Sequence, residues 1–455
     1  MANAANNNNG SPDDPVAPAI LRRVITASAI GNFIEWFDFA VYGFLAVTIS
    51  QHFFPPGEPS LALLQTFAVF AVSFALRPLG GVVFGMLGDR IGRKRVLSLT
   101  VLLMAGATTL IGLLPTWQSV GIAAPLALAL ARCIQGFSTG GEYAGACAFV
   151  MEHAPREQRG RYGSFIPVST FAAFALAAAL GFAMNALLTE ASMQQWGWRV
   201  PFLIAAPLGL IGLYMRLRLD ESPAFKALRQ QEGVPHAPLK ETLRGHGATI
   251  LCLSAFISAT ALSFYMFTTY FATYMQVAGH ASETTALLAS LGALILAALL
   301  CPVMGVYTDR VGRRRTIMTA CLSLIVAVFP AYWLAGSGRF VESLIGAALM
   351  AVGAVICGVV TAVLLSEQFP TRVRYTASAL CYNLAYTVFG GTAPLIATWL
   401  IDVSGSSLAP AWYLIAIALL ALAGGMRLPE TAHRALEADD TAPGMSPVQG
   451  GMSRG

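Results

Sequence analysis

The feature of this sequence that most restricts its fold is a charged motif that occurs twice. Gly85-Met-Leu-Gly-Asp-Arg-Ile-Gly-Arg-Lys-Arg95 returns later in the chain as Gly305-Val-Tyr-Thr-Asp-Arg-Val-Gly-Arg-Arg-Arg315. Each copy lies between two long apolar runs. Because so many charges cannot lie in hydrocarbon, each copy predicts a tight turn between two membrane helices. The repetition predicts two similar halves, a plan that many secondary transporters share.

The composition predicts a membrane protein. Hydrophobic residues make up 56% of the chain and charged residues only 11%, whereas about 25% of residues are charged in an ordinary soluble domain. The formal net charge of +5 does not indicate a nucleic-acid partner, because no basic patch is interleaved with aromatic residues. All seven cysteines fall in apolar runs without paired spacing, so we expect no disulfide framework, no metal site and no cofactor.

Twelve apolar runs have roughly the 20-residue length that crosses a bilayer, six on each side of a polar segment. The runs lie at 24–50, 61–86, 96–114, 121–150, 162–188, 197–217, 247–276, 283–306, 316–336, 341–366, 375–400 and 408–427. The sequence therefore predicts an all-α membrane protein with twelve transmembrane helices in two pseudo-symmetric six-helix bundles.

The basic residues predict how these helices are oriented. Between the predicted helices, nearly all Lys and Arg lie on the side that carries both termini, and the opposite side has only Arg199 and Arg339. By the positive-inside rule both termini and the central loop are cytoplasmic. The predicted segments are a disordered leader at 1–20, an N-terminal bundle at 21–217, a central loop at 218–246, a C-terminal bundle at 247–427 and a disordered tail at 428–455.

Charged groups inside the first half are candidates for function, since each costs roughly 3 kcal/mol to place in a membrane. Helical spacing puts two polar stripes on the first and fourth helices, where they can face each other across a cavity. The stripes are Asn32, Glu35, Asp38 and Tyr42 on the first helix, and Arg132, Gln135, Thr139 and Glu142 on the fourth. We expect Glu35 or Asp38 to bind a proton, Glu142 to take part in the coupling, and Arg132 to answer the change of charge. The six histidines all lie in predicted loops or tails.

Each of these assignments has an alternative. Glu35, Asp38 and Arg132 are also compatible with a fixed charge network that only holds helices together. Arg77 lies nearer the cytoplasmic end of the second helix and precedes a stretch, Pro78 to Gly81, where helices can pack closely. It is a candidate substrate ligand, and the alternative is that it extends to the membrane surface and binds lipid phosphate.

The second half offers polar and aromatic residues rather than charges. Tyr265, Thr268, Thr269 and Tyr270 cluster in the seventh helix, and Tyr382, Asn383 and Tyr386 lie within about one turn of the eleventh. With Trp36 and Phe39 such rings can surround a quaternary ammonium by cation-π attraction, although packing is the commoner role. The candidate substrate-binding residues are Asn32, Tyr42, Arg77, Gln135, Tyr265, Tyr270, Tyr382 and Asn383.

Matching charges at the cytoplasmic ends of the two halves predict contacts between helices. Glycines at the turns allow a sharp reversal, and the motif aspartates are placed to accept hydrogen bonds from a neighbouring helix N-terminus and to pair with an arginine four residues on. The alternative is that these charges only set topology. The candidate gating residues are Gly85, Asp89, Arg90, Gly92, Arg93, Glu152, Arg159, Asp309, Arg310, Gly312, Arg313, Glu367 and Arg374.

The motifs also resemble those of a known family. The repeated loop resembles the major facilitator superfamily signature Gly-x-x-x-Asp-Arg-x-Gly-Arg-Arg/Lys, and further segments resemble its metabolite:proton symporter branch over about residues 22–430. These segments are Gly31-Asn-Phe-Ile-Glu-Trp-Phe-Asp-Phe39, Arg77-Pro-Leu-Gly-Gly81, Arg132-Cys-Ile-Gln-Gly-Phe-Ser138, Gly141-Glu-Tyr143 and Trp196-Gly-Trp-Arg-Val-Pro-Phe202. The resemblance is greatest to proton-coupled proline and betaine transporters, followed by symporters of 2-oxoglutarate, citrate or shikimate.

The resemblance implies a carrier in a bacterial cytoplasmic membrane that couples inward proton flow to uptake of a small polar metabolite. In that superfamily the loop contacts latch the cytoplasmic face shut. The antiporter signature Gly-Pro-x-x-Gly-Gly is missing from 162–188, so we expect symport. Candidate cavity charges favour a zwitterion, with a di- or tricarboxylate as the alternative. We expect protons and lipid as partners and no obligate protein partner. A non-transporting receptor is a remote alternative, and no enzyme motif is found.

Overall fold

The structure is a computed structural model that describes residues 18–81, 83–84, 93–140, 142–217, 238–434 and 436. For a few of them, among them Arg93 and Glu142, only the helical backbone is described. Within the described ranges, nine helical stretches are long and apolar enough to cross a membrane, and two shorter apolar helices accompany them. The protein is therefore an all-helical integral membrane protein with multiple spans.

Twelve helical segments, here α1 to α12, follow the predicted order through the described chain. In the N-terminal half they are α1 (Pro18–Phe44), α2 (Pro59–Gly81), α3 (Arg93–Leu113), α4 (Ala123–Ser138 and Glu142–His153), α5 (Phe165–Leu187) and α6 (Val200–Leu217). In the C-terminal half they are α7 (Pro238–Tyr265, Met266–Tyr270 and Phe271–Val277), α8 (Glu283–Val311), α9 (Arg313–Ala335), α10 (Phe340–Glu367), α11 (Thr371–Ala385, Tyr386–Gly390 and Ala393–Ser404) and α12 (Ala409–Gly425). Short helices at Ala46–Phe53, Trp117–Val120, Arg159–Gly163 and Glu190–Gln195 occupy connections.

The two halves use the same helix pairing. In the first half α1 packs on α5, α2 on α4, and α3 on α6; in the second half α7 packs on α11, α8 on α10, and α9 on α12. Adding six to the helix numbers of each pair in the first half gives the corresponding pair in the second half. The halves meet mainly through α5 against α8 and through α2 against α11. The repeated loop motif thus marks a repeated bundle.

Among the described residues, helices α4, α7 and α11 each depart from regular α geometry close to where the two halves meet. Helix α4 is interrupted after Ser138, where Thr139 and Gly140 form a turn. Helices α7 and α11 each contain a π-helical turn, at Met266–Tyr270 and Tyr386–Gly390. Such wide turns are rare and occur often at functional sites. All three irregular segments lie where the two halves contact each other.

Two boundaries differ from the predicted ones. Helix α7 begins at Pro238, inside the expected central loop, and its backbone leaves helical geometry at His246. After α12, residues 430–434 are packed against the membrane bundle, although a disordered tail was expected from 428. The sequence has no apolar signal there, because hydrogen bonds to backbone groups and to the Glu367 carboxylate hold this segment.

Candidate functional site

The polar residues predicted on α1 all point into the protein. Asn32, Glu35, Asp38 and Tyr42 are each at most 4% exposed. A buried charge persists only where other groups pair with it or donate hydrogen bonds to it. The partners of these side chains therefore define the site.

Glu35 forms an ion pair with Arg77 of α2. The Nη2 atom of Arg77 donates a hydrogen bond to Oε1 of Glu35 at 3.3 Å, and the arginine is fully buried. The alternative in which Arg77 extends to the membrane surface is wrong for this conformation. The reason is the close approach of α2 and α4, where a Cβ on Gly80 or Gly136 would collide with the backbone of the facing helix. Arg77 is held inside by that packing.

Arg132 of α4 does not pair with Glu35. Its Nη1 atom donates to Oε1 of Gln135 at 2.7 Å, its Nη2 atom donates to the hydroxyl of Ser73 at 3.3 Å, and it makes no ion pair with a described carboxylate. The guanidinium also stacks over aromatic rings, at 4.3 Å from the ring centroid of Tyr42. Such cation-π contacts stabilise a desolvated cation.

Asp38 lies on the Arg132 side of α1. It faces Arg132 and Thr108 of α3, and its Oδ2 atom has no hydrogen-bond partner among the described residues. Gln135 completes this group by donating from Nε2 to the Thr108 hydroxyl at 2.6 Å. The structure therefore separates the predicted charges into two groups, Glu35 with Arg77 and Asp38 with Arg132.

Two predicted substrate ligands are engaged in helix packing. The amide nitrogen of Asn32 donates to the hydroxyls of Ser169 and Thr170 of α5, at 2.9 and 2.7 Å, and its oxygen accepts from the indole of Trp36 at 3.0 Å. The hydroxyl of Tyr42 donates to the backbone oxygen of Thr66 at 2.9 Å. These contacts bind α1 to α5 and α2.

The predicted stripe on α4 is interrupted. Thr139 lies in the turn that follows Ser138, and Glu142 begins the next helical piece, so the spacing of one continuous helix no longer applies. A small cavity between α1, α3 and α4 borders Glu35 and is lined by Thr100, Ser138 and Thr139. Its volume of about 10 Å³ is at the lower limit for one water molecule.

An aromatic cluster from both halves surrounds the Glu35–Arg77 pair. The ring of Trp36 lies 5.0 Å from Phe264, 6.2 Å from Tyr265 and 6.5 Å from Tyr386, measured between ring centroids. Tyr265 and Tyr386 also lie within electrostatic range of the Arg77 guanidinium. The predicted residue Tyr265 thus lies at the centre of the protein, between the halves.

A second aromatic contact joins α4 to α11. Tyr143 and Tyr382 stack with ring centroids 4.6 Å apart and planes inclined by 10°, and Tyr382 stacks on Tyr386. Beside them, the amide nitrogen of Asn383 donates to the backbone oxygen of Gly140 at 2.6 Å. Tyr270, by contrast, lies apart from this group and contacts Phe67 and Tyr274.

The predicted gating residues of the second motif make contacts across the two halves. The carboxylate of Asp309 accepts hydrogen bonds from the backbone N–H groups of Gly160 and Arg161, both at 2.8 Å, and pairs with Arg313 at 3.0 Å. This is the geometry expected for the motif aspartate. Gly312 has a φ of 91°, a backbone conformation that favours glycine, so the sharp turn between α8 and α9 depends on it.

Glu367 and Glu152 extend this set of contacts. Glu367 pairs with Arg313 at 2.9 Å and with Arg159 at 3.6 Å, and Glu152 pairs with Arg374 at 3.2 Å. The pairs of Glu367 with Arg159 and of Glu152 with Arg374 join the N-terminal half to the C-terminal half. We call this set, formed by Glu152, Arg159, Asp309, Arg313, Glu367 and Arg374, the inter-half network. Arg310 is exposed and lines a surface pocket outside it.

The segment after α12 completes the network. Glu430 accepts hydrogen bonds from the backbone N–H groups of Arg313 and Arg314, both at 2.9 Å, and from that of Ala432. Burial favours a higher pKa for Glu430, but these hydrogen bonds outweigh it, so its pKa lies below its ordinary value. Arg159 donates to the backbone oxygen of Arg434. These contacts were not expected from the sequence.

The corresponding gating residues of the first motif are not among the described side chains. Gly85, Asp89, Arg90 and Gly92 lie outside the described residues, and of Arg93 only the helical backbone is described. Their predicted gating role stays a prediction. Three further residues of the site, Ser73, Thr108 and Phe264, were not expected from the sequence. They are single uncharged residues whose role depends on which helices meet, so their positions in the chain gave no signal.

Comparison with known proteins identifies the family. A family model described as Major Facilitator Superfamily matches residues 28–394. The proline/betaine transporter of Escherichia coli is 40% identical over 441 residues, which cover 94% of this chain and 87% of the relative. The ectoine/proline transporter ProP of Corynebacterium glutamicum is 35% identical over 437 residues, covering 92% and 86%.

Solved structures agree on the fold. The proton:xylose symporter XylE bound to 6-bromo-6-deoxy-D-glucose matches with a TM-score of 0.73 and 17% identity over 92% of this chain and 98% of that one. A D-xylose-proton symporter matches with a TM-score of 0.71 and 20% identity over 91% and 99%. At such identities the likeness concerns the fold alone. The family model matches most of the chain, and these relatives match nearly its whole length. The chain therefore belongs to the major facilitator superfamily of membrane transporters.

Proposed function

We propose that this protein takes up a small zwitterion, such as proline or betaine, together with protons. The observation that carries the proposal is the buried Glu35–Arg77 ion pair within an aromatic cluster to which both halves contribute. A carrier that alternates its opening between two sides needs its binding site where the halves meet. The relatives named as proline, betaine or ectoine transporters support this substrate class.

The charges of the site favour a zwitterion over a tricarboxylate. Among the described central side chains, Glu35 and Asp38 balance Arg77 and Arg132, and all four are buried. A tricarboxylate needs surplus cations in the site, whereas a zwitterion brings one charge of each sign to a balanced site. A dicarboxylate such as 2-oxoglutarate remains the second candidate, since either arginine can bind a carboxylate.

Proton coupling requires an acid that changes its charge during the cycle. Glu35 and Asp38 are the described buried carboxyl groups at the centre of the N-terminal half. Glu142 begins the second piece of α4, and it stays a candidate. We place the protein in the bacterial cytoplasmic membrane with both termini cytoplasmic, as the distribution of Lys and Arg predicts.

The inter-half network is proposed to hold the cytoplasmic side closed in this conformation. Its ion pairs and the Asp309 hydrogen bonds join the halves at one end of the helices. Opening towards the cytoplasm must break them, and inward release of substrate follows.

Transport by purified protein in proteoliposomes tests the proposal. Labelled proline, betaine, 2-oxoglutarate, citrate and shikimate are presented separately, with and without an imposed inward pH gradient. We expect saturable accumulation of proline or betaine that requires the gradient and is abolished by a protonophore. Accumulation of 2-oxoglutarate or citrate instead would replace the substrate class, and accumulation that ignores the gradient would contradict proton coupling.

A further inference from the structure

A basic pocket on the surface of the C-terminal half lies outside the central site. It is formed at the turn between α8 and α9, beside the segment that follows α12, and its volume of about 480 Å³ is within the range of small-molecule sites. Arg310 lies at the end of α8, Arg314 and Arg315 lie at the start of α9, and His433 follows α12. All four side chains are exposed. The pocket is therefore open to a ligand from the surface.

The positive charges of this pocket have no counter-ions in the protein. Among the described residues, no carboxylate forms an ion pair with the side chain of Arg310, Arg314 or Arg315. Glu430 is the acid among the described lining residues, and its oxygens already accept three backbone hydrogen bonds. Cations gathered in one pocket repel each other, and a bound anion relieves that repulsion. The pocket therefore favours an anionic ligand.

Two unusual backbone conformations hold the pocket in this shape. Gly312, with its φ of 91°, brings the basic ends of α8 and α9 together, and a side chain at this position would meet the Glu430 carboxylate at 2.8 Å. His433 has a φ of 63°, which residues other than glycine seldom adopt. The N–H group of Arg434 donates to the backbone oxygen of Thr431 at 3.2 Å and closes the turn around it. The basic groups are thus held at fixed places around the pocket.

An apolar strip continues from the pocket along the boundary between α9 and α12. Exposed apolar side chains follow one face of α9, at Met318, Leu322, Val326 and Phe329. At one end of the strip Met318 lines the pocket together with Met426 of α12. At the other end Phe329 contacts Trp412 of α12, with ring centroids 5.8 Å apart. From Met318 to Phe329 helix α9 rises about 16 Å, roughly half of the ~30 Å hydrocarbon core. The strip therefore has the length of one leaflet.

An anionic phospholipid matches both the pocket and the strip. Guanidinium groups bind phosphate oxygens through forked hydrogen bonds, and the acyl chains of the same molecule can lie along the strip. The pocket is at the end of the helices that the distribution of Lys and Arg assigns to the cytoplasm, where basic pockets of membrane proteins bind anionic head groups. A soluble phosphate fits the pocket alone and makes no use of the strip.

We propose that this pocket binds the head group of one anionic phospholipid from the cytoplasmic leaflet, and that the bound phosphate stabilises the segment after α12. That segment forms one wall of the pocket through Glu430 and His433. The same segment reaches the inter-half network, because Thr431 donates to Glu367 and Arg159 donates to the last residue of the segment. A lipid that stabilises the segment therefore favours the conformation closed on the cytoplasmic side. The inference relies on the proposed topology but not on the substrate.

Lipid binding by the purified full-length protein tests the inference. Delipidated protein in detergent receives phosphatidylglycerol, phosphatidylethanolamine or glycerol 3-phosphate, and native mass spectrometry counts the molecules that stay bound. We expect one tightly bound phosphatidylglycerol, an affinity at least tenfold weaker for the zwitterionic phosphatidylethanolamine, and no retained glycerol 3-phosphate at the same concentrations. Equal affinity for the two lipids overturns the inference. Retention of glycerol 3-phosphate assigns the pocket to a soluble anion and overturns it as well.

A double substitution locates the lipid. Arg314→Gln with Arg315→Gln removes two charges of the pocket and leaves in place the backbone N–H group of residue 314 that Glu430 binds. We expect the affinity for phosphatidylglycerol to fall at least tenfold. Arg244→Gln with Arg427→Gln is the matched control, because it removes two exposed arginines from the same side of the membrane that do not line the pocket. Wild-type affinity in the first double variant overturns the inference, as does an equal loss in the control.

Hydrogen exchange tests the stabilisation of the segment after α12. The N–H groups of Arg313 and Arg314 are bound by Glu430, so this segment protects them from exchange. We expect phosphatidylglycerol to slow the exchange of a peptide spanning 310–316 at least threefold in wild type and not in the double variant. An equal unfolding temperature of both proteins without lipid shows that the variant is folded. Unchanged exchange in wild type with the lipid bound contradicts the stabilisation. None of these readouts requires transport, so failure here leaves the proposed function in place.

Discussion

Replacing Asp309 by asparagine is expected to open the cytoplasmic side more often. The carboxylate accepts two backbone hydrogen bonds, from Gly160 and Arg161 of the N-terminal half, both at 2.8 Å. An asparagine has the same size, but its single oxygen retains one of these bonds and carries no charge. Both bonds cross the boundary between the halves, so their loss weakens the closed conformation selectively.

The magnitude follows from the contacts that are lost. One charge-assisted hydrogen bond contributes about 1.5–3 kcal/mol, and a negative charge at a helix N-terminus contributes about 0.3–1 kcal/mol. A net loss of about 2–3 kcal/mol corresponds to a shift of about 30- to 150-fold in the ratio of closed to open molecules, at about 1.4 kcal/mol per tenfold. Substrate binding itself is expected to change little, because Asp309 makes no described contact with the central aromatic cluster.

Alkylation of Cys147 measures this ratio. Cys147 is fully buried in α4 and lies within electrostatic range of Tyr386 in the other half. In protein whose other cysteines are replaced, a thiol reagent reaches Cys147 only when the halves separate on the cytoplasmic side. We expect the alkylation rate to rise by the factor given above in Asp309→Asn. The exposed Asp402→Asn, at the end of α11, is the matched control.

An unchanged alkylation rate in Asp309→Asn would refute this reasoning. It would mean that the ion pairs of Glu367 and Glu152 hold the halves without the motif aspartate. A rise in Asp402→Asn as large as that in Asp309→Asn would show that the assay reports general loosening of the protein instead.

Three further predictions address stability and binding. Hydrogen bonds lower the pKa of Glu430, so its stabilising contact is complete at neutral pH and is lost as pH falls through that lowered pKa. Glu430→Gln should therefore lower the thermal unfolding temperature at pH 7, and this difference from wild type should shrink below about pH 4. Gly136→Ala should strongly reduce the yield of monodisperse protein in size-exclusion chromatography, because its methyl group meets the Ser73 carbonyl oxygen. Gly106→Ala is the control and should keep the yield, because nothing lies within 4 Å of its new methyl group. Equal yields of the two variants would contradict the packing argument. Trp36→Leu should raise the betaine KM about fivefold through loss of about 1 kcal/mol of cation-π attraction, and an unchanged KM in transport assays would remove Trp36 from the site.

The sequence contains enough information for the architecture because membrane helices are specified by local properties. The apolar runs, the charged turns and each copy of the repeated motif can all be read from short continuous stretches of sequence. The all-helical structure with many spans follows from them. The Asp309 contacts were predictable for the same reason, since the motif places an acid four residues before Arg313 at a helix boundary.

The partners in the site were less predictable because they depend on how helices approach each other. Helical spacing put Glu35 and Asp38 on one buried face, but it did not show that Glu35 meets Arg77 rather than Arg132. That choice depends on the packing of α2 on α4. The turn at Gly140 separately takes Glu142 out of the predicted stripe. The π-helical turns carry no periodic signal, since each changes the register by a single residue.

The glycine contact between α2 and α4 has a consequence for measuring the transport cycle. Where backbone touches backbone without intervening side chains, two helices have no room to slide or tilt against each other. Spin labels attached to the lipid-facing sides of these two helices should keep a constant separation in every state of the carrier. Distances taken from either label to the C-terminal half then describe the same rigid displacement, and the pair provides a fixed internal reference frame.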